Sequence, residues 1–225
     1  MTKIKAAFIH LIISVLVISI LFSIVYLIWY PKPFFNFSGV VEPFKLLILI
    51  DVIIGPILTF IVYKKGKKSL SLDLSVIAIL QLSALIYGSF VIHSGRPSTV
   101  VFNNGQFQYL VEKYAKNDEL VYSELMPSLF SKPKMAYIKK FSTLDIYNGY
   151  AYFEPLSDYD SMLKSHSLSI DNMRAKYKSL QKGIDELAEL YKDDEIVFFK
   201  LDYKGSTQYV VYSKSQNTII DYLKF

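Results

Sequence analysis

Cysteine is missing altogether from these 225 residues. Disulfide frameworks, thiolate nucleophiles and cysteine-based metal sites are therefore excluded, and an oxidising compartment is tolerated without being required. Histidine is almost missing: the three present, His10, His93 and His166, are far apart and lack metal-ligand spacing. Each reads as an interfacial or surface residue. There is no phosphate-binding glycine loop, no nucleophile elbow and no HExxH helix. Catalytic residues, cofactors and metal sites are accordingly expected to be none, and the protein is read as a binder, not an enzyme. Paired acids occur at Asp158/Asp160 and at Asp193/Asp194/Glu195. Helix-start and turn roles are the first expectation for these, ahead of a cation site.

Charge is also scarce along three stretches, residues 8–29, 44–63 and 74–92. Each falls within the ~17–25 residues that cross a bilayer as a helix. The first exceeds the ~7–15 residues of a signal-peptide core and is followed by Trp29-Tyr30-Pro31, with no small-x-small cleavage pattern, so an uncleaved anchor is expected. Lysines set the orientation. Lys3 and Lys5 precede the first stretch, and Lys64, Lys65, Lys67 and Lys68 fill the link between the second and third, whereas the other short loop has only Lys32 and Lys45 beside Glu42. Basic loops stay cytoplasmic, which places the N-terminus inside and everything after His93 outside. Residues 1–93 hold a balance of +5 and residues 94–225 a balance of zero. The basic excess is thus topological and carries no argument for nucleic acid; the lysine turn would also suit anionic lipid.

Asp51 sits inside the second stretch. A carboxylate at mid-helix costs about 2.5–3.5 kcal/mol on insertion scales, so such a residue is a site hypothesis by default. Asp51, Gly55 and Thr59 share a helix face, as do Gln81, Ala84 and Gly88 on the third stretch and Ser19, Ser23 and Tyr26 on the first. These stripes are expected to line the bundle interior. Counting depth from the apolar boundaries puts Asp51 level with Ser23 or Tyr26 and Ser83 or Tyr87, and Gln81 near Thr59 or Ser14. Pro56 is expected to bend the helix and free carbonyls near Val52. The candidate packing or docking set is Asp51, Gly55, Pro56, Thr59, Gln81, Tyr87 and Gly88. Asp51 either fixes helix register or meets a partner's helix.

From residue 94 the pattern changes. Gly95-Arg96-Pro97 reads as an exit from the membrane, and Asn103-Asn104-Gly105 joins strands at 98–102 and 106–112 as a hairpin. A short helix is expected at 116–126 and a strand at 134–140. Met173, Tyr177, Leu180, Ile184, Leu187 and Tyr191 keep a helical period over 170–191, and strands follow at 195–203, 207–212 and 218–223 as an antiparallel meander. The fold class is an α-helical membrane domain of three transmembrane helices (residues 1–93) followed by a small α+β extracytoplasmic domain (94–225) with antiparallel strands and one long helix. Tyr147, Tyr150, Tyr152, Phe153 and Tyr159 supply core or interface rings.

The chain resembles the type IV pilin accessory proteins of the TfpX/TfpZ group, also called FimB-like fimbrial assembly proteins. The likeness rests on His10-Leu11, Trp29-Tyr30-Pro31 and the run Asp51-Val52-Ile53-Ile54-Gly55-Pro56-Ile57-Leu58-Thr59. It continues through Gly66-Lys67-Lys68-Ser69-Leu70, Asp73-Leu74, Gln81, Tyr87-Gly88 and Gly95-Arg96-Pro97. It is dense over the membrane portion and loose beyond it. The resemblance implies a multi-pass inner-membrane protein of a Gram-negative bacterium, with its C-terminal domain periplasmic, that assists one cognate type IV pilin by binding. It implies no catalytic residues. The competing class is a membrane-anchored sensor or another envelope assembly factor with a ligand-binding outer domain. The short cytoplasmic segments leave no room for an output domain, and a single intramembrane acid without a basic partner argues against transport or intramembrane catalysis.

Overall fold

The computed structural model of the chain describes residues 2–103, 105–111, 125, 127–138, 153–156, 161–203 and 206–223. The expected helix at 116–126, except Leu125, lies outside the described residues. So do residues 112, 139 and 140, the turn positions Asn104, Lys204 and Gly205, Asp158, Asp160 and tyrosines 147, 150, 152 and 159. The chain divides into two units, Met1–Trp29 with Phe35–Arg96, and Tyr30–Phe34 with Pro97–Phe225.

In the first unit α1, Lys3–Ile24, starts at Thr2, whose hydroxyl accepts the Lys5 N–H at 3.3 Å, and runs on through a π-helical turn, Val25–Trp29. A single turn α2, Phe34–Phe37, precedes α3, Val41–Ile48, a π-helical segment Leu49–Ile54, and α4, Gly55–Val62. Then comes α5, Leu70–Ser94. Three continuous helices are thereby long and apolar enough to cross a membrane: Lys3–Trp29, Val41–Val62 and Leu70–Ser94, of 27, 22 and 25 residues. At ~1.5 Å per residue all exceed the ~30 Å hydrocarbon core. The spans overrun the apolar stretches because helix geometry continues into polar flanks. Ser69 and Asp73 sit at the start of α5, where an acid suits the helix dipole, and the Lys67 ammonium lies 2.5 Å from the Asp73 carboxylate.

The buried stripe of α1 is Ala6, Ser14, Ile18, Val25 and Trp29. It is displaced from the expected Ser19, Ser23 and Tyr26, all of which are exposed. Ser23 explains the error: its hydroxyl donates to its own helix at the Ser19 carbonyl, 2.9 Å away, so it needs no neighbouring helix.

The second unit is built on one seven-stranded sheet among the described residues, ordered β4-β3-β1-β2-β5-β6-β7. Its strands are β1 Pro97–Asn103, β2 Gln106–Val111, β3 Lys134–Ile138, β4 Phe153–Pro155, β5 Ile196–Tyr203, β6 Ser206–Ser213 and β7 Thr218–Leu223. The β1–β2 hairpin and the β5–β6–β7 meander are antiparallel. The sheet as a whole is mixed, which corrects the antiparallel expectation: β1 pairs parallel with β3, and β2 parallel with β5. Hairpin signals are local, whereas these parallel partners are joined by long crossovers that leave no mark at the strands themselves.

The expected single helix at 170–191 is also corrected. It is α7, Ile170–Lys176, a 3₁₀ turn Lys178–Leu180, and α8, Gln181–Leu190, preceded by the short α6, Ser161–His166. The break falls at Tyr177, where φ is −126° and ψ 70°. Its ring lies 5.0 Å from that of Tyr209, and the two hydroxyls are hydrogen-bonded. Apolar periodicity runs straight through because both helices lean on one sheet face. Met173, Ile184 and Leu187 pack there with Ile196, Phe198, Tyr209, Val211 and Leu223. The adjacent Phe199 joins Phe102, Phe107 and Tyr212 in a cluster of rings with centroids 5.1–5.9 Å apart.

Candidate functional site

Asp51, Thr59, His10 and Gln81 of the first unit are turned toward neighbouring helices. Asp51 and Thr59 are 5% and 4% exposed, and Gly55 between them is buried. From α5, the Gln81 amide donates to the Asp51 backbone carbonyl at 3.3 Å and to its Oδ1 at 3.4 Å.

Backbone geometry explains why a glutamine is needed. In the π-helical segment the Gly55 N–H bonds to the Ile50 carbonyl, five residues back. In that register the donor for the Asp51 carbonyl would be residue 56, and Pro56 has no N–H. Gln81 supplies it. Pro56 therefore frees the carbonyl of Asp51, next to Val52, where freed carbonyls were expected. Gly55 provides the room: a Cβ there would run into Gln81 Nε2. Asp51, Gly55, Pro56 and Gln81 form one coupled unit.

The level of this contact differs from the expected one. Asp51 is near the middle of Val41–Val62, as Gln81 is of Leu70–Ser94. Thr59 meets His10 of α1, with Nδ1 and Oγ1 2.6 Å apart. Sequence reasoning missed that role for His10. The available signal was its place on the Ala6–Ser14–Ile18 face, at the spacing of successive turns. Gly88 seats Leu47, whose Cδ2 lies 2.5 Å from where a Cβ would be. Tyr87 is 70% exposed and is not brought to the site. Lys3, Lys5, Lys64, Lys65, Lys67 and Lys68 are all exposed, and the Lys3 ammonium lies 5.9 Å from the Phe60 ring centre. The start of α1 and the end of α4 are thus neighbours, and the basic residues gather at one end of the unit.

Ser19 and Ser23 line a cleft of about 470 Å³ with Ile18, Phe22, Phe44 and Lys45 among its walls. Phe22, Phe35 and Phe44 of its lining and the neighbouring Tyr26 pack ring against ring, mostly edge to face, with centres 5.1–5.9 Å apart. The serines thus face an open surface instead of the interior.

In the second unit, buried Asp221 accepts from Lys32 Nζ and Tyr191 Oη, each at 2.9 Å, and from the Tyr222 N–H. Burial, with the hydrogen bond and negative charge of Asp221, pushes the Tyr191 phenol up to about 12. Asp194 takes the turn role expected of its cluster. Ser213 donates to it at 2.5 Å, Ser215 at 2.8 Å and Gln216 at 3.3 Å, and these bonds, Ser213 first, hold its carboxyl below the usual range. Among the described residues no group of three or more His, Asp or Glu side chains is arranged to hold a metal.

Residues 1–39 match the family described as "Fimbrial assembly protein FimB". Three relatives come from Dichelobacter nodosus, each 37% identical over 118 residues, or 52% of this chain. In the "Fimbrial assembly protein, serogroups C1 and C2" that match covers 90% of the relative. The chain belongs to the FimB fimbrial assembly family. Against two other members, the "Fimbrial assembly protein" of serogroup I and that of serogroup E1, the match spans 46% of the relative's length. No solved structure matches the chain. The family likeness at residues 1–39 falls on α1, the helix that contributes His10 to the contact with Thr59.

Proposed function

We propose that this protein assists fimbrial assembly as a multi-pass inner-membrane protein that holds one cognate type IV pilin by binding, without catalysis. Its N-terminus and lysine turn are cytoplasmic and its sheet domain periplasmic. Family membership supports the assembly role, and the lysine-rich end of the first unit supports the orientation.

The observation that carries the binding reading is the division of labour within the spans. The Asp51–Gln81 and His10–Thr59 contacts tie one span to another, so they set helix register, while most of each span's surface is left open. The cleft at Ser19, Ser23 and Phe22 is the surface we assign to a pilin's membrane helix, because small residues permit close helix approach. Contact there and at the sheet domain would make binding bivalent and raise avidity without strong individual contacts.

Deleting the gene in a piliated host, and scoring surface pili and total pilin separately, tests this role. Pilin retained in the membrane with few fibres is expected; normal piliation refutes it. A photo-crosslinker at Ser23 should capture pilin, whereas capture only from probes on other faces would move the docking site away from the cleft.

A further inference from the structure

Outside the helix bundle, one feature uses apolar residues in a way that folding does not require. Residues Ser128–Ser131 form a tight turn. The Ser131 N–H donates to the Ser128 carbonyl at 3.0 Å, the Ser131 hydroxyl donates to the same carbonyl at 3.0 Å, and the Ser128 N–H donates to the Ser131 hydroxyl at 2.9 Å. This closed turn carries Leu129 and Phe130 at its centre, 54% and 64% exposed. Two adjacent large apolar side chains held outward by a hydrogen-bonded turn mark an interaction surface. Lys132 is exposed just after them, and Lys134 opens β3.

Strand topology says which surface is within reach. β1 and β3 are parallel, with Thr99 opposite Lys134, so the turn preceding β3 lies at the end of the sheet where β1 begins. β1 begins at Pro97, directly after the third span ends at Ser94. Whatever the orientation of the two units, five residues of extended chain, at most about 18 Å, separate Ser94 from Thr99. One strand spacing, about 5 Å, separates Thr99 from Lys134. A bilayer surface is therefore always present at high effective concentration.

We propose that the Leu129–Phe130 turn is a membrane-interface anchor that inserts into the leaflet on the sheet domain's side, with Lys132 and Lys134 selecting anionic headgroups. An aromatic and an aliphatic side chain beside basic residues is the composition that interfacial anchors use. Each basic residue near an anionic surface strengthens binding about fivefold. The proposal does not depend on the pilin reading.

Because the chain has no cysteine, Phe130→Cys gives a unique attachment point for a polarity-sensitive dye in the full-length protein. Leu190→Cys is the control. Leu190 is 64% exposed and ends α8 shortly before β5, which runs parallel to β2 and opposite to β1, and so starts at the other end of the sheet. Both proteins are reconstituted in vesicles of phosphatidylcholine and phosphatidylglycerol carrying doxyl-labelled lipid. The dye at 130 should be quenched several-fold more than the dye at 190, and the excess should shrink in phosphatidylcholine alone. Equal quenching at the two sites overturns the anchor, and an excess indifferent to lipid charge overturns the anionic preference. A dye at 130 that water-soluble iodide reaches until pilin is co-reconstituted also overturns it, in favour of a protein contact.

Discussion

Replacing Gly55 by alanine should destabilise the helix bundle by about 2 kcal/mol, and the reason can be isolated. The new Cβ would lie 2.1 Å from Gln81 Nε2, so the amide must swing away from the Asp51 carbonyl and Oδ1 that it now bonds at 3.3 and 3.4 Å. Interhelical hydrogen bonds within membranes average about 0.6 kcal/mol and reach about 1.7. Here the carbonyl has no alternative donor, because the next position in its register is Pro56, and an unsatisfied buried acceptor adds about 1–3 kcal/mol. Alanine's better helix propensity returns up to ~1 kcal/mol, which brings the net to about 2. The decisive measurement is a double-mutant cycle with Gln81→Ala, read by reversible unfolding in mixed detergent micelles. With Gln81 shortened, the methyl at residue 55 meets no amide. Gly55→Ala should then be neutral or stabilising, for a coupling of about 2 kcal/mol. Additive effects, or a harmless single Gly55→Ala, would refute the steric argument and with it the coupling of Gly55, Pro56 and Gln81.

The second unit yields further tests. Lys32→Met removes the cation from buried Asp221; because the Lys32 side chain is 48% exposed, the loss should be about 1 kcal/mol in thermal unfolding, with Lys32→Arg restoring most of it. Tyr191 is neutral when folded and its ionisation is pushed up to about 12. Its contribution to stability is complete below the free-tyrosine value of about 10 and is lost as pH rises from there through 12. Tyrosinate absorbance in the Tyr191→Phe variant should lack that late step. Asp194 shifts the other way: its stabilisation is present above the free-aspartate value of about 4 and disappears as pH falls through its lower folded value. The protection factor against hydrogen exchange at residues 214–217, taken relative to the intrinsic rate at each pH, should fall as Asp194 is protonated, and Asp194→Asn should remove that acid-dependent loss. Gly105→Ala should cost at least 1 kcal/mol by denaturant titration, since its φ is +79° and the added Cβ would strike the His166 ring.

Much of the helical unit was legible because the length and apolar composition needed to cross a bilayer are a pattern few other structures satisfy. Asp51, Gly55 and Gln81 stood out on helical spacing, and the second and third stripes were assigned to the interior on the same ground. The first stripe failed where it rested on polarity: Ser23 satisfies its hydroxyl on its own helix, while His10, read as an ordinary end residue, bonds Thr59. In the sheet domain, the hairpin and meander could be read from turns and alternation. The 170–191 period recorded a shared buried face and was blind to the break at Tyr177.

What the sequence by itself determined is therefore what depends on composition and short spacing: three membrane-length helices, a basic end, a lone acid within an apolar span and a family likeness. Tertiary structure alone decided which partner each group received. Gln81 reaches Asp51 from α5 because a π-helical register and a proline leave that carbonyl without a donor and a glycine leaves the space. β1 and β2 find β3 and β5 as parallel neighbours across long stretches of chain. Pairings of this kind are settled by three-dimensional packing of distant segments, for which a linear pattern carries no period.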